Sequence, residues 1–344
     1  MSPFKKIFCA LLSFFTLALI SSAEPVKVLM IGNSFSICNM RYLPSIAASL
    51  GKELDLVSMY IGGCPLERHA NNIEKELANP EFSPYKIDIS YSSIPKVEDT
   101  PAYRAKNLGD KQQGSGIIKM LKADKWNIVT IQQASPASWK YETYRPHADK
   151  LVETIRKYAP QAEIVIQQTW SYCNANRNIG TLVKPAWGIN RDEMYKRLTE
   201  CYRRLGKEFK FRIIPSGYAI ELYRRRLPVK YAPVCNSADG KYCTEEMLFD
   251  DVVGAVRWKK AENRDGKVLG YYPTGDTIHL NRRGEFLQSC VWAASIFPDV
   301  DITALKYLPG DGEEEKQNTT PQQYALIRKC AADAVRDFPA GAEF

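Results

Sequence analysis

Short apolar runs alternate with longer amphipathic stretches along most of the chain. Residues 26–31 are β-branched and apolar and end at Gly32, as expected of a strand buried on both faces. Similar runs at 54–60, 128–131, 163–167 and 211–214 bring the predicted strands to five. Between and after them, apolar positions recur with helical spacing at 42–50, 117–122, 146–158, 191–209, 218–226, 285–297 and 322–337. Strands alternating with helices predict an α/β chain: a parallel sheet covered on both faces, in a three-layer α/β/α sandwich of the flavodoxin-like kind. Such sheets bind ligands outside the carboxyl ends of their strands. Two stretches, 80–113 and 228–275, are rich in Pro, Gly, Tyr and charge and break the repeat. They read as insertions over the active edge.

Residues 1–23 stand apart. Lys5 and Lys6 precede an apolar run from 7 to 20, and Ser21, Ser22 and Ala23 supply small residues before Glu24-Pro25. That is the three-part pattern of a cleaved signal peptide. The run is short for a span, which needs roughly 20 apolar residues. The expectation is export to the periplasm or the exterior, no stable membrane insertion after cleavage, and one domain over 24–344.

Composition narrows the possibilities. With 45% hydrophobic and 25% charged residues, the chain has the balance of a globular protein and not of a disordered one. Loss of 1–23 leaves 45 basic and 39 acidic residues, interleaved along helices such as 191–210. That describes solvated helix faces and no nucleic-acid groove. The one dense cluster, Arg224-Arg225-Arg226, falls at a helix end, where cations suit the dipole. Eight cysteines remain, an even number that permits disulfides in an exported chain; Cys235 and Cys243 flank the Asp239-Gly240 turn signal and form the favoured pair. No Cys-x-x-Cys or Cys/His cluster marks a zinc site. No metal or organic cofactor is expected, and the composition leaves the oligomeric state open.

Three segments carry candidate chemistry. Gly32-Asn33-Ser34-Phe35-Ser36 follows the first strand, which puts Ser34 at the carboxyl edge of the sheet. Asn33, Ser34 and Ser36 equally suit a helix cap. Tyr60-Ile61-Gly62-Gly63-Cys64 follows the second strand. Paired glycines there allow close backbone approach to a ligand, or simply a tight turn. Asp276-Thr277-Ile278-His279-Leu280-Asn281 sets a carboxylate three residues before one of only three histidines. On one turn they can lie together, the carboxylate fixing the imidazole tautomer; a capped helix start fits too. His69 reads as a surface or pocket-lining residue, and His147 as an exposed one at a helix start. Trp170 and Tyr172 follow the fourth strand, where a ring could stack on a sugar or pack in the core. Cys38 and Cys64 lie near the same edge, although Ser34 is better placed as nucleophile.

In order and spacing the three segments resemble the SGNH hydrolase superfamily, the GDSL-like lipases and esterases. The likeness is strongest to exported proteins with an Ile-Gly-Asn-Ser-Phe first block (DUF4886-like), and it covers about 26–297 outside the insertions. The resemblance implies the SGNH hydrolase fold, with Ser34 as nucleophile and Asp276 and His279 as the acid–base pair. It also implies oxyanion donors at the backbone of Ser34 and Gly63, with Gly62 as the alternative. The third block departs from the pattern. Where the superfamily has Gly-x-Asn-Asp, this chain has Gln132-Gln133-Ala134-Ser135, so Gln133 or Gln132 takes the side-chain oxyanion role. Trp170 and Asn33 are expected to contact substrate. The implied function is hydrolysis of an ester, a small acyl group such as acetyl on a carbohydrate, with a small-molecule or polysaccharide ester as the partner. The alternatives are a non-catalytic glycan-binding protein of the same fold, and a lipase or thioesterase.

Overall fold

The computed structural model describes residues 24–91, 114–179, 185–227, 251–309, 319–339 and 341. The leader at 1–23 and the Cys235–Cys243 pair lie outside them.

The central strand β1 (Val26–Gly32) has neighbours on both sides and four fully buried apolar residues, Val28 to Ile31. Parallel to it run β2 (Leu54–Tyr60) on one side and β4 (Ile128–Ile131), β5 (Glu163–Gln167) and β6 (Ile213–Ile214) on the other. The parallel strands alone give the order 2-1-3-4-5, the flavodoxin-like winding expected from the sequence. A sixth strand, β3 (Lys86–Tyr91), corrects the count of five. It pairs antiparallel to β2 at the edge, within the segment read as an insertion. Its alternation of Ile87 and Ile89 with Lys86, Asp88 and Ser90 is the pattern of an edge strand covered on one face.

Helices α3 (Leu66–Ala78), α4 (Ile117–Ala123) and α5 (His147–Tyr158) pack together on one face. On the other lie α2 (Leu43–Ser49), α7 (Ser216–Arg226), α8 (Arg282–Ile296) and α9 (Pro321–Asp337). Helix α6 (Arg191–Phe209) links β5 to β6, and α1 (Ser34–Ile37) is a single turn after β1. Among the described residues no helix is long and apolar enough to cross a membrane.

Helix α3 is a second correction. Leu66, His69, Ala70 and Ile73 all face inward at helical spacing, so His69 is fully buried and does not lie on the surface. His147, at the start of α5, is half-buried. Glu76 on α3 is buried and accepts the N–H groups of Ile118 and Lys119 at 2.9 and 2.8 Å, capping α4 from a neighbouring element.

The described part of the second supposed insertion belongs to a long hairpin, β7 (Val253–Glu262) and β8 (Val268–Leu280). It carries the Asp276–His279 motif at the end of its returning strand, and Asn281 directly after it caps α8, accepting the Gly284 N–H at 3.2 Å.

Candidate active site

Strand order gathers two of the three segments and the Gln132-Gln133 block. Because β1 lies between β2 and β4, the turn after β1 emerges between the Gly62-Gly63 turn and the Gln132-Gln133 segment. Helix connections diverge between β1 and β4, opening the crevice characteristic of this winding.

Ser34 is aimed by the residue before it. Asn33 is the N-cap of α1 and its side chain is buried. Oδ1 accepts the Phe35 N–H at 3.0 Å, and the Asn33 carbonyl accepts the N–H groups of Ser36 and Ile37. The cap thus takes up the first amides of the turn other than that of Ser34. The Phe35 carbonyl is pinned by the amides of Gln167 at 2.7 Å and Gln288 at 2.9 Å. A close neighbour keeps residue 32 as glycine: a Cβ there would sit 2.3 Å from Ser36 Oγ.

His279 reaches Ser34 through a register irregularity. Ala255 opposes Asp276 and Val253 opposes Leu280, so β8 spends two more residues than β7 between those pairs. Such a bulge re-aims side chains, and here it returns His279 beside Asp276. The imidazole Nδ1 lies 2.7 Å from Asp276 Oδ2, and Nε2 lies 2.9 Å from Ser34 Oγ. Asp276 Oδ1 accepts the N–H groups of Ile278 and His279 at 2.7 and 2.9 Å. Partial burial pushes the Asp276 carboxyl upward, but those two amides and the imidazole outweigh it and hold the group below the usual carboxylate range. Nδ1–H then faces a carboxylate, which leaves Nε2 to accept the Ser34 proton.

Beside Ser34 and His279 opens a cleft of ≈ 610 Å³, walled by Ile37, Cys38, Met40, Leu280 and the ion pair of Arg41 with Glu285 (3.0 Å). Glu285 also pairs with Arg282 at 3.0 Å. Gly62 and Gly63 are exposed. Gly63 has φ +60 and open space where a Cβ would be, so the turn asks for glycine by conformation alone.

Several expected roles fall elsewhere. Gln132 Nε2 donates to Asn33 Oδ1 at 2.6 Å, and Asn33 Nδ2 donates to the Cys64 carbonyl at 3.1 Å. Gln132 and Asn33 therefore link the nucleophile turn to the glycine turn; they do not face substrate. Gln133 Oε1 accepts the N–H groups of Leu66 and Ala134, and its Nε2 donates to Thr143. Neither amide nitrogen is directed into an oxyanion hole: that of Gln132 goes to the Asn33 side-chain oxygen, and that of Gln133 goes to Thr143. Trp170 is buried, 1% exposed. It stacks on Phe35 at 4.0 Å, and its Nε1 donates to the Ile278 carbonyl at 2.9 Å. Phe35 in turn meets the His279 ring edge-on at 5.8 Å. The indole thus supports the histidine from below and offers no face to a sugar. Burial pushes the Cys64 thiol up to about 12 and raises Cys38 well above its ordinary range, which keeps both as inert thiols. Among the described residues no group of three or more His, Cys, Asp and Glu could hold a metal ion.

One contributor escaped the sequence reading. Arg224, seen there only as a helix-end cation, is buried and forms a two-point pair with Asp251 at 2.9 and 2.9 Å. It also donates to the carbonyls of Ser171 and Tyr172. The base of the hairpin is thereby tied to α7 and to the loop after β5. The only sequence signal was a charged residue on the inward face of an amphipathic helix.

Fold and geometry together define a class: a flavodoxin-like α/β sandwich with a Ser–His–Asp line-up at its carboxyl edge. The chain belongs to the family described as Domain of unknown function (DUF4886), whose profile matches residues 27–227. No curated protein matches the chain. A DUF4886 family protein from Bacteroides uniformis ATCC 8492 shares the fold, with a TM-score of 0.62 and 24% identity over 91% of this chain and 95% of that one. A candidate SGNH hydrolase from Slackia heliotrinireducens superposes at a TM-score of 0.41 and 19% identity, over 79% and 100% of the two chains. A candidate GDSL-like lipase from Parabacteroides merdae ATCC 43184 does so at 0.41 and 11%, over 78% and 94%.

Proposed function

We propose that this protein is an exported serine esterase working through an acyl-enzyme, with Ser34 as nucleophile, His279 as general base and acid, and Asp276 as the carboxylate that orients the imidazole. The observation that carries this reading is the unbroken line Ser34 Oγ, His279 Nε2, His279 Nδ1, Asp276 Oδ2, at 2.9 and 2.7 Å. His279 removes the hydroxyl proton as Ser34 Oγ attacks the acyl carbon. The resulting imidazolium gives that proton to the departing alcohol oxygen as the acyl C–O bond breaks. Water, deprotonated by His279, then attacks the acyl-serine, releasing the acid and regenerating Ser34. The oxyanion is held by the backbone N–H groups of Ser34 and Gly63. Gln132 and Gln133 are otherwise engaged, so neither gives this hole a side-chain donor, and such a donor contributes about 100- to 1000-fold to turnover elsewhere. A modest catalyst is expected.

A small acyl group, such as acetyl, and a carbohydrate carrier follow from the family resemblance and from the export pattern of residues 1–23. A charged, mixed cleft wall, with Arg41 and Glu285 beside Ile37 and Met40, suits a short acyl group better than the long chain of a lipase substrate. The test is hydrolysis of short-chain nitrophenyl esters by wild type and Ser34→Ala. The reading requires activity that falls with chain length and drops at least about 1000-fold in Ser34→Ala. Activity surviving that substitution overturns the mechanism, and retained polysaccharide binding without any esterase activity supports the glycan-binding alternative.

A further inference from the structure

The β7–β8 hairpin does more than deliver His279. In its register Ala255 opposes Asp276, Arg257 opposes Thr274 and Lys259 opposes Tyr272. Directly opposed residues share a face, and residues two apart along a strand share it as well. These six positions therefore lie on one side of the ribbon, and the row starts at the carboxylate that holds His279. Arg257 and Lys259 are exposed and form no ion pair among the described residues, and Tyr272 is 36% exposed. On the opposite face, Lys260 is paired with Glu262 at 3.2 Å. From Asp276 to Tyr272 the strand runs about 13 Å. The outward row thus sets two exposed cations, with no ion pair among the described residues, along a strip leading away from Ser34 and His279.

We propose that this face is the docking rail for the alcohol side of the substrate, and that this alcohol side is an anionic polysaccharide, carrying carboxylate or sulfate groups along its length. Guanidinium and ammonium groups with no ion pair among the described residues attract anions spaced along a chain. The tip residues Val268 and Leu269 are exposed, but two aliphatic side chains are far too little apolar area to anchor the arm in a bilayer. The inference rests on the esterase reading only for the ester itself; docking is measured without catalysis.

The experiment uses the Ser34→Ala protein, which cannot turn over substrate, and titrates it with polygalacturonate, dextran sulfate and neutral dextran at low salt. Binding to at least one anionic polymer, none to dextran, and a loss of affinity of about fivefold or more in an added Arg257→Gln/Lys259→Gln pair is the expected result. Added salt at 0.5 M weakens binding in the same way. The ratio between polygalacturonate and dextran sulfate distinguishes a carboxylate from a sulfate carrier. An added Lys260→Gln leaves affinity unchanged. Unaltered melting of each variant assures that the comparison concerns the surface. Equal binding of dextran, no binding of any polymer, full affinity in the double variant, an equal loss in Lys260→Gln, or a preference for anionic phospholipid vesicles each overturns the proposal. A failed Ser34→Ala activity test leaves these outcomes unaffected, so the two readings fail separately.

Discussion

Asn33 shows how much one buried amide can organise. Its oxygen caps the Ser34 turn and takes the Gln132 amide, while its nitrogen holds the Cys64 carbonyl next to Gly63. His69 lies under the same turn. Its Nδ1 is hydrogen-bonded to the Tyr85 hydroxyl at 2.8 Å, and its Nε2 is buried without a partner. Burial, helped by the Arg68 charge, lowers its pKa to about 3, so the folded protein keeps it neutral. An unfolded chain takes up the proton at about 6.5. Stability from this group is therefore complete above about pH 6.5 and declines as pH falls toward 3, by about 2 kcal/mol at pH 5. In His69→Gln the melting temperature should change less between pH 7 and pH 5 than in wild type; an unchanged pH slope would contradict the assignment. The meeting of Ser34, Asp276 and His279 was legible because it depends on order along the chain and on a three-residue spacing. The destinations of Gln132, Gln133, Trp170 and His69 were not. An amide or ring near a site goes to whichever buried partner is unsatisfied, and that partner comes from another part of the chain.

The decisive element is the hairpin. Gly254 on β7 has φ +93, and a Cβ there would lie 2.9 Å from the Asp276 carbonyl oxygen and 3.4 Å from the Cys173 sulfur. Gly254→Ala combines a left-handed backbone for a non-glycine residue, costing about 1–3 kcal/mol, with pressure on the segment that sets His279. It should lower kcat for a short ester more than its loss of stability explains. Normal turnover in a folded Gly254→Ala protein would show that the bulge tolerates displacement. The hairpin was hidden in the sequence because β7 places Arg257, Lys259 and Lys260 within one strand, so it reads as a charged loop. Strand β3 and helix α3 were in principle legible: β3 alternates Ile87 and Ile89 with polar residues, and α3 spaces Leu66, Ala70 and Ile73 as a helix does.

Across the whole molecule, the site is assembled from both ends of the chain. Ser34 follows the first strand, and His279 arrives about 245 residues later on an arm outside the main sheet. Arg224 joins the two parts through Asp251 and the loop after β5. Asn281 adds a bond to the Asp251 carbonyl at 2.7 Å. Removing one partner of a buried pair leaves an uncompensated charge, so Arg224→Met should cost about 3–5 kcal/mol. It should also loosen the hairpin, which is read as a fall in melting temperature together with a fall in kcat. Wild-type stability would contradict this anchoring. The layering and winding were readable because buried parallel strands are continuous apolar runs. The anchor was missed because a buried arginine looks like any other arginine until its carboxylate is located.

Covalent trapping of the nucleophile tests the central claim most directly. Wild type, Ser34→Ala and His279→Ala are treated with a fluorophosphonate and the modified residue is located by mass spectrometry. The account predicts one adduct on Ser34 in wild type, none in Ser34→Ala, and labelling slowed at least about 100-fold in His279→Ala, since general-base assistance contributes that much or more. An adduct at any other residue, or Ser34 labelling at the same rate without His279, would contradict it.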